Sequence, residues 1–318
     1  MSKNQNVSFT ESSRSSVAVT ERKSKYLLAG DTPLLGADLS SLSQADKIAL
    51  FQQILQQRIH GISFSPYVDG QAPGTEIGEA QIRERLGIIQ PYVHWIRSFS
   101  CIEGNQEIPR IAHELGLKTM VGIGLSEDRE ANEVELANGI EIAGAGHADL
   151  LAVGNEILLR GDLSEDELIE YIQRARAAAP GIPVTYVDAY FLFENHPRVA
   201  EACDILLVNC YPFWERCAAD YALLYMKEMY RRAQSVANGK QVIISETGWP
   251  TAGSAFGAAI PSYDDALQYF IRTYQWAQED DIEIFYFSSF DESWKVGDEG
   301  DVGAYWGLWD REGNLKYT

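Results

Sequence analysis

The chain has 318 residues, 46% of them apolar, which is enough for one large domain with a substantial core. Its 46 acidic side chains outweigh 26 basic ones, giving a formal net charge of −20. That balance argues against nucleic acid, whose binding rests on Lys and Arg neutralising phosphates, and against an anionic membrane surface; a neutral polysaccharide is not repelled.

Residues 1–25 are rich in Ser, Asn, Thr and charge and lack an apolar signal-peptide core, so they read as a disordered tail. Without a signal peptide, the chain is expected in the cytoplasm unless another route exports it. No run reaches the roughly 18 apolar residues that span a bilayer. An amphipathic helix is expected over 43–57. A rhythm of strand then helix follows from Gly61, and 26–318 read as one domain. The first strand is expected at 61–67 with a helix over 79–89, the second at 94–100 with a helix over 106–115, and the third at 118–125 with a helix over 128–143.

The fourth strand is expected at 148–154, and its helix starts at Ser164 with Glu167 three residues on, a capping box. The fifth, at 183–188, leads to a short helix at 197–202. The sixth, at 204–211, leads to a helix over 221–237, the seventh, at 241–246, to a helix over 263–278, and 282–290 is the eighth. Eight strands alternating with helices predict a closed α/β barrel of the (β/α)8, TIM type, in about 250 residues. An open doubly wound sheet is the rival, but the first turn, Asp69-Gly70-Gln71-Ala72-Pro73-Gly74, is a poor phosphate loop.

Polar and aromatic residues recur at the C-terminal end of these apolar strands, where a barrel keeps its chemistry. Tyr67 ends the first, Arg97 lies on the second, and Asn155-Glu156 end the fourth. Asp188 and Tyr190 end the fifth, and Asn209, Tyr211, Phe213 and Trp214 the sixth. Glu246 and Trp249 follow the seventh, and Asp291, Glu292, Trp294 and Lys295 the eighth. Each has a plain structural reading. Glu156 would serve as a charge at a helix N-terminus, Arg97 would pair with a buried carboxylate, Tyr211 and Trp249 would fill the rim, and Asp291 and Glu292 would be loop acids. Convergence of the set on one face favours function. Two facing carboxylates, Glu156 and Glu246, are the minimal equipment for cleaving a glycosidic bond. Cys101, Cys203, Cys210 and Cys217 match no zinc or redox spacing, and the spacing leaves open one disulfide among the last three.

The motifs Val153-Gly154-Asn155-Glu156, Asn209-Cys210-Tyr211-Pro212-Phe213-Trp214, Ser245-Glu246-Thr247-Gly248-Trp249-Pro250 and Phe290-Asp291-Glu292-Ser293-Trp294-Lys295 resemble glycoside hydrolase family 17 of clan A. These are β-1,3-glucanases and β-1,3-glucanosyltransferases. The resemblance implies Glu156 as general acid/base, Glu246 as nucleophile, Asn155 on the sugar 2-hydroxyl and Tyr211 orienting the nucleophile. It also implies Glu292 and Lys295 as a further charged pair near the site. Tyr67, Arg97, Trp249 and Trp294 complete the expected substrate-binding set. The implied activity is retaining, through a covalent glycosyl-enzyme, with its carboxyls about 5–5.5 Å apart. Trp214, Trp249, Trp294 and Trp306 are candidates for an acceptor platform that would favour transfer over hydrolysis. The plant members have a shorter first-strand motif without Ser65-Pro66, and the Asp291-Glu292-Ser293-Trp294-Lys295 form of the last motif also departs from theirs; both lie near expected sugar subsites. The alternatives are a catalytically weak β-glucan-binding protein on the same barrel, or a barrel enzyme of other chemistry. No cofactor or metal is expected, the partner is a β-glucan chain, and the protein is expected to be a monomer.

Overall fold

The computed structural model describes residues 36–297 and 299–318. The tail expected at 1–25, and the first residues of the domain that follows it, lie outside the described residues. The eight strands are β1 (Ile59–Ser63), β2 (Val93–Arg97), β3 (Lys118–Ile123), β4 (Leu150–Asn155), β5 (Val184–Ala189), β6 (Leu206–Asn209), β7 (Val242–Thr247) and β8 (Ile284–Tyr286). They pair in parallel in chain order, and β8 closes on β1. The helices are α1 (Gln44–Gln56), α2 (Glu79–Ile89), α3 (Ile108–Glu114), α4 (Arg129–Gly144), α5 (Ile157–Arg160), α6 (Glu165–Ala178), α7 (Tyr190–Asn195), α8 (Pro197–Ala202), α9 (Ala219–Val236) and α10 (Tyr263–Asp280). This is the (β/α)8 barrel that the strand count predicts.

The strands read as unbroken apolar runs because both of their faces are buried. Along β4, Leu150 and Ala152 point into the barrel with Met120, Val187, Leu207, Ile243 and Phe285. Leu151 and Val153 point outward into the larger core under the helices. Truncating an interior residue such as Leu207 would cost about 2–5 kcal/mol, because closed strands cannot collapse onto the gap.

Several strands end earlier than expected. β1 stops at Ser63; one more ladder bond joins Phe64 N–H to the Arg97 carbonyl, and Pro66 then denies a donor. Tyr67 therefore sits in the loop after β1. β8 stops at Tyr286 because the Ser288 N–H turns away to the Trp306 carbonyl. Two short helices, α5 and α7, lie where connecting loop was expected. The capping box at Ser164 and Glu167 forms as its spacing predicts. Cys203 lies below β6 and Cys210 above it. Cys203, Cys210 and Cys217 are all free thiols, so the disulfide left open among them does not form in the structure. Cys217 is buried, with its Sγ donating to the Ala218 carbonyl.

The C-terminal segment locks the barrel mouth. The Lys316 ammonium donates to Asp291 Oδ1 at 2.6 Å and to Thr251 Oγ1 at 3.0 Å, tying the loops after β8 and β7 together. Gly307 N–H donates to the same Asp291 oxygen at 2.9 Å. Tyr317 packs on Phe51 of α1, ring centroids 4.7 Å apart. Lys316→Met would leave the buried Asp291 carboxylate without its cation. The expected loss is about 3 kcal/mol or more of unfolding free energy, read from urea denaturation at neutral pH. A midpoint within 0.2 M of the parent, at equal slope, would mean that the pair contributes nothing.

Candidate active site

Glu156 is placed by an irregular strand end. Gly154 adopts φ +83°, where a Cβ would meet Ile157 Cγ1 at 2.8 Å, and the β4–β5 register shifts between Ala152 and Asn155. Glu156 itself is left-handed, φ 55°, a conformation costing a non-glycine residue about 1–2 kcal/mol. Its backbone N–H is held by the Val187 carbonyl at 2.9 Å. Its side chain does not cap α5. Instead Glu156 Oε1 accepts from Asn209 Nδ2 at 2.8 Å, and Ser245 Oγ donates to Asn209 Oδ1 at 2.8 Å. Glu156 thus stands at the N-cap position of α5, but its carboxyl is turned to Asn209 and not to the helix's free N–H groups.

Glu246 lies on β7, buried, with Asn209 of β6 as its Cα partner. Arg97 Nη1 donates to Glu246 Oε1, and the Tyr211 hydroxyl donates to Oε2 at 2.7 Å. Arg97 Nη1 also reaches the Ser245 carbonyl at 3.2 Å, and Nη2 reaches Asn155 Oδ1 at 3.0 Å. The guanidinium lies 4.6 Å from the Phe99 ring centroid. Arg97, itself buried, thus links the ends of β2, β4 and β7. Five expected residues, Glu156, Glu246, Arg97, Asn155 and Tyr211, form one hydrogen-bonded set.

A second group stands beside it. Lys295 Nζ donates to Glu292 at 2.8 Å, and Trp294 Nε1 donates to Glu292 Oε1 at 3.0 Å. The Tyr67 ring meets Trp294 edge-on at 6.1 Å, and its hydroxyl accepts from Asn105 Nδ2 at 3.3 Å. Lys295 lies over Phe287, whose ring packs against Tyr211. The expectation for Trp249 is corrected. It is 1% exposed, donates its indole N–H to the Ile260 carbonyl at 3.0 Å, and packs on Phe213 and Tyr269. It supports the rim from below and offers no face to a sugar. Trp306 is likewise buried, whereas Trp214 and Trp294 are half-exposed.

The protonation states diverge. Burial, then the charge of Glu246 and that of Asp188, push Glu156 up to about 7, against the Asn209 hydrogen bond and Arg160. Burial and Glu246 hold the Tyr211 phenol well above its ordinary range, so it stays a donor. Burial works against the Lys295 charge, but Glu292, Glu299 and Glu246 outweigh it and raise its pKa. Glu299 is pushed up to about 7, chiefly by burial. Asn209 stands in the expected strand-end set without a role, and Ser245 and Glu299 are outside it. Asn209 and Ser245 sit inside the motifs that mark the strand ends, while nothing in the sequence around Glu299 marks it. Among the described residues no group of three or more His, Cys, Asp or Glu is arranged to hold a metal ion. No helix among them is long and apolar enough to cross a membrane.

Comparison with known proteins agrees with this architecture. The "Glucan 1,3-beta-glucosidase" of Schizosaccharomyces pombe is 27% identical over 250 residues, covering 73% of this chain and 78% of that one. The structure of an active-site mutant of the Rhizomucor miehei β-1,3-glucanosyltransferase in complex with laminaritriose superposes with a TM-score of 0.73 at 27% identity, covering 82% of this chain and 96% of that one. An endo-laminarinase from Formosa Hel1_33_131, 18% identical with a TM-score of 0.71 over 83% of this chain and 86% of that one, shares the fold. The BtgE/BtgC glycoside hydrolase domain model matches residues 61–307, from β1 through the loops beyond β8. The chain therefore belongs to the BtgE/BtgC glycoside hydrolase domain family, within glycoside hydrolase family 17.

Proposed function

We propose that the chain is a retaining enzyme acting on β-1,3-glucan, with Glu246 as nucleophile and Glu156 as general acid/base. One observation carries the assignment of roles: two glutamates share one mouth in opposite settings. Glu246 is clamped by Arg97 and Tyr211, while Glu156 holds its proton to about 7. A carboxylate that attacks must be charged, and a carboxylic acid that assists the leaving oxygen must not be.

In the first step a Glu246 oxygen bonds to the anomeric carbon, the bond to the leaving oxygen breaks, and the Glu156 proton goes to that oxygen. The products are a glycosyl ester on Glu246 and a freed sugar. In the second step Glu156, now a carboxylate, takes a proton from water or an acceptor hydroxyl, whose oxygen displaces Glu246. Two inversions restore the β configuration. In this reading Asn155, held by Arg97, takes the 2-hydroxyl of the sugar. The half-exposed Trp214 and Trp294 are the rim aromatics left to stack on an acceptor. A binding protein on a spent barrel would have no use for one glutamate clamped by a guanidinium and a phenol in the same mouth as another buried enough to hold its proton to about 7.

The test uses laminari-oligosaccharides. Proton NMR in the first minutes should show β-anomeric product before mutarotation; α product first would mean a single displacement. Mass spectrometry of the same mixture reads the fate of the intermediate. Products longer than the substrate mean transfer to sugar, and shorter products alone mean hydrolysis.

A further inference from the structure

The carboxyl group of Asp188 is completely buried at the end of β5, and neither step above uses it. Its surroundings show what it holds. Tyr186, two residues earlier on the same face of β5, donates its hydroxyl to Asp188 Oδ2. The Ala189 N–H donates to Oδ1 at 2.7 Å. The remaining partners come from the turn that follows Glu156. Leu158 N–H donates to the Tyr186 oxygen at 2.9 Å, and Leu159 N–H reaches Asp188 Oδ2 at 3.4 Å. On the other side of Glu156, Val187 of the same strand accepts the Glu156 N–H. Consecutive residues of β5 therefore hold the backbone both at and beyond the left-handed Glu156, a conformation that persists only where its neighbours enforce it.

We propose that Asp188 and Tyr186 are positioning residues for the acid/base: they hold the turn that presents Glu156, and the Asp188 carboxylate adds its charge to those facing it. The proposal rests on the acid/base role given to Glu156 above. The charged and titratable groups around Glu156 are Glu246 from β7, Asp188 from β5, Arg160 from α5 and Tyr211 from the loop after β6. Those around Asp188 are Glu156, Tyr186 and Arg160. Burial pushes Asp188 up to about 6, with the Tyr186 hydroxyl opposing. Above that pH Asp188 is an anion and makes ionisation of Glu156 harder.

The sign follows for two variants. Asp188→Asn keeps an acceptor for Leu159 and Tyr186 but removes the charge, so Glu156 ionises at lower pH. Tyr186→Phe removes the donor that favours the Asp188 anion, so Asp188 keeps its proton longer and Glu156 again ionises at lower pH. It also frees the Leu158 N–H. In both, the alkaline limb of kcat/KM on laminari-oligosaccharides should fall by about one unit. A role limited to folding would lower activity without moving the limb.

A second measurement needs no turnover. Carbon-13 NMR of the full chain labelled at glutamate carboxyls, with Glu156→Gln as the assignment control, gives the Glu156 midpoint directly. A midpoint lowered by the same amount in Asp188→Asn supports the proposal even if the protein proves inactive on β-1,3-glucan, a result that would fail the functional reading alone. Folded Asp188→Asn and Tyr186→Phe proteins with the wild-type midpoint, or an active Asp188→Asn enzyme with the wild-type alkaline limb, would overturn it.

Discussion

Glu246→Gln is expected to lower kcat/KM on laminari-oligosaccharides by at least about 10⁴-fold while the protein stays folded. The magnitude is that of removing a nucleophile whose partners cannot act alone. The amide has nearly the shape of the carboxylate, and its oxygen can still accept from Arg97 or Tyr211. It has no anion to form the glycosyl ester. Arg97 is almost wholly buried, and its charge in this site is met by the Glu246 carboxylate. The variant should therefore also melt earlier, because a buried cation without its counter-ion costs several kcal/mol. Circular dichroism separates that loss from the catalytic one. Glu246→Gly provides the positive control. An α-configured laminaribiosyl fluoride mimics the missing ester and should restore bond formation to an acceptor sugar. Glu246→Gln turnover within tenfold of the parent, with contaminating enzyme excluded, would remove Glu246 from the mechanism.

The barrel was legible because its signal is local and repeated: each strand is an apolar run buried on both faces, and each run ends in polar residues. The carboxylates were legible for the same reason, since Glu156 and Glu246 break those runs abruptly. Arg97 and Tyr211 could be named from their strand-end positions, but the bonds that give them purpose span 149 and 35 residues of chain. Trp249 shows the opposite failure. Its place after Glu246 suggested a sugar platform, yet its indole is directed inward by a bond to Ile260 and by the Phe213 and Tyr269 rings. No sequence period distinguishes an aromatic above the rim from one beneath it. Asp188 reads as one more strand-end acid until its hydrogen bonds to the turn after Glu156 are seen. Helix α5 has no sequence signal, because four residues are too few to show a 3.6-residue period.

Glu156→Ala should split substrates by how much their leaving group needs a proton. Loss of a laminari-oligosaccharide sugar, whose alkoxide is a poor leaving group, should slow by about 10³-fold, within the usual range for a positioned acid. Departure of 2,4-dinitrophenolate needs no proton, so formation of the glycosyl-enzyme from a dinitrophenyl glucoside should slow by less than about tenfold. The second step then lacks its base, and the intermediate should accumulate, visible as a burst of dinitrophenol and as added mass on the protein. Azide is a nucleophile that needs no base. It should release the intermediate and yield a β-glycosyl azide, which also reports the stereochemistry. The pH profile provides an independent check. In the parent, protonated Glu156 is the active form, so kcat/KM should fall as pH rises through about 7. That alkaline limb should vanish in Glu156→Ala with the dinitrophenyl substrate, because no acid remains to titrate. Alanine at φ 55° bears a left-handed cost close to that of glutamate, so the backbone at this position should hold. Equal losses on both substrates, with no azide product, would mean that the proton comes from another group.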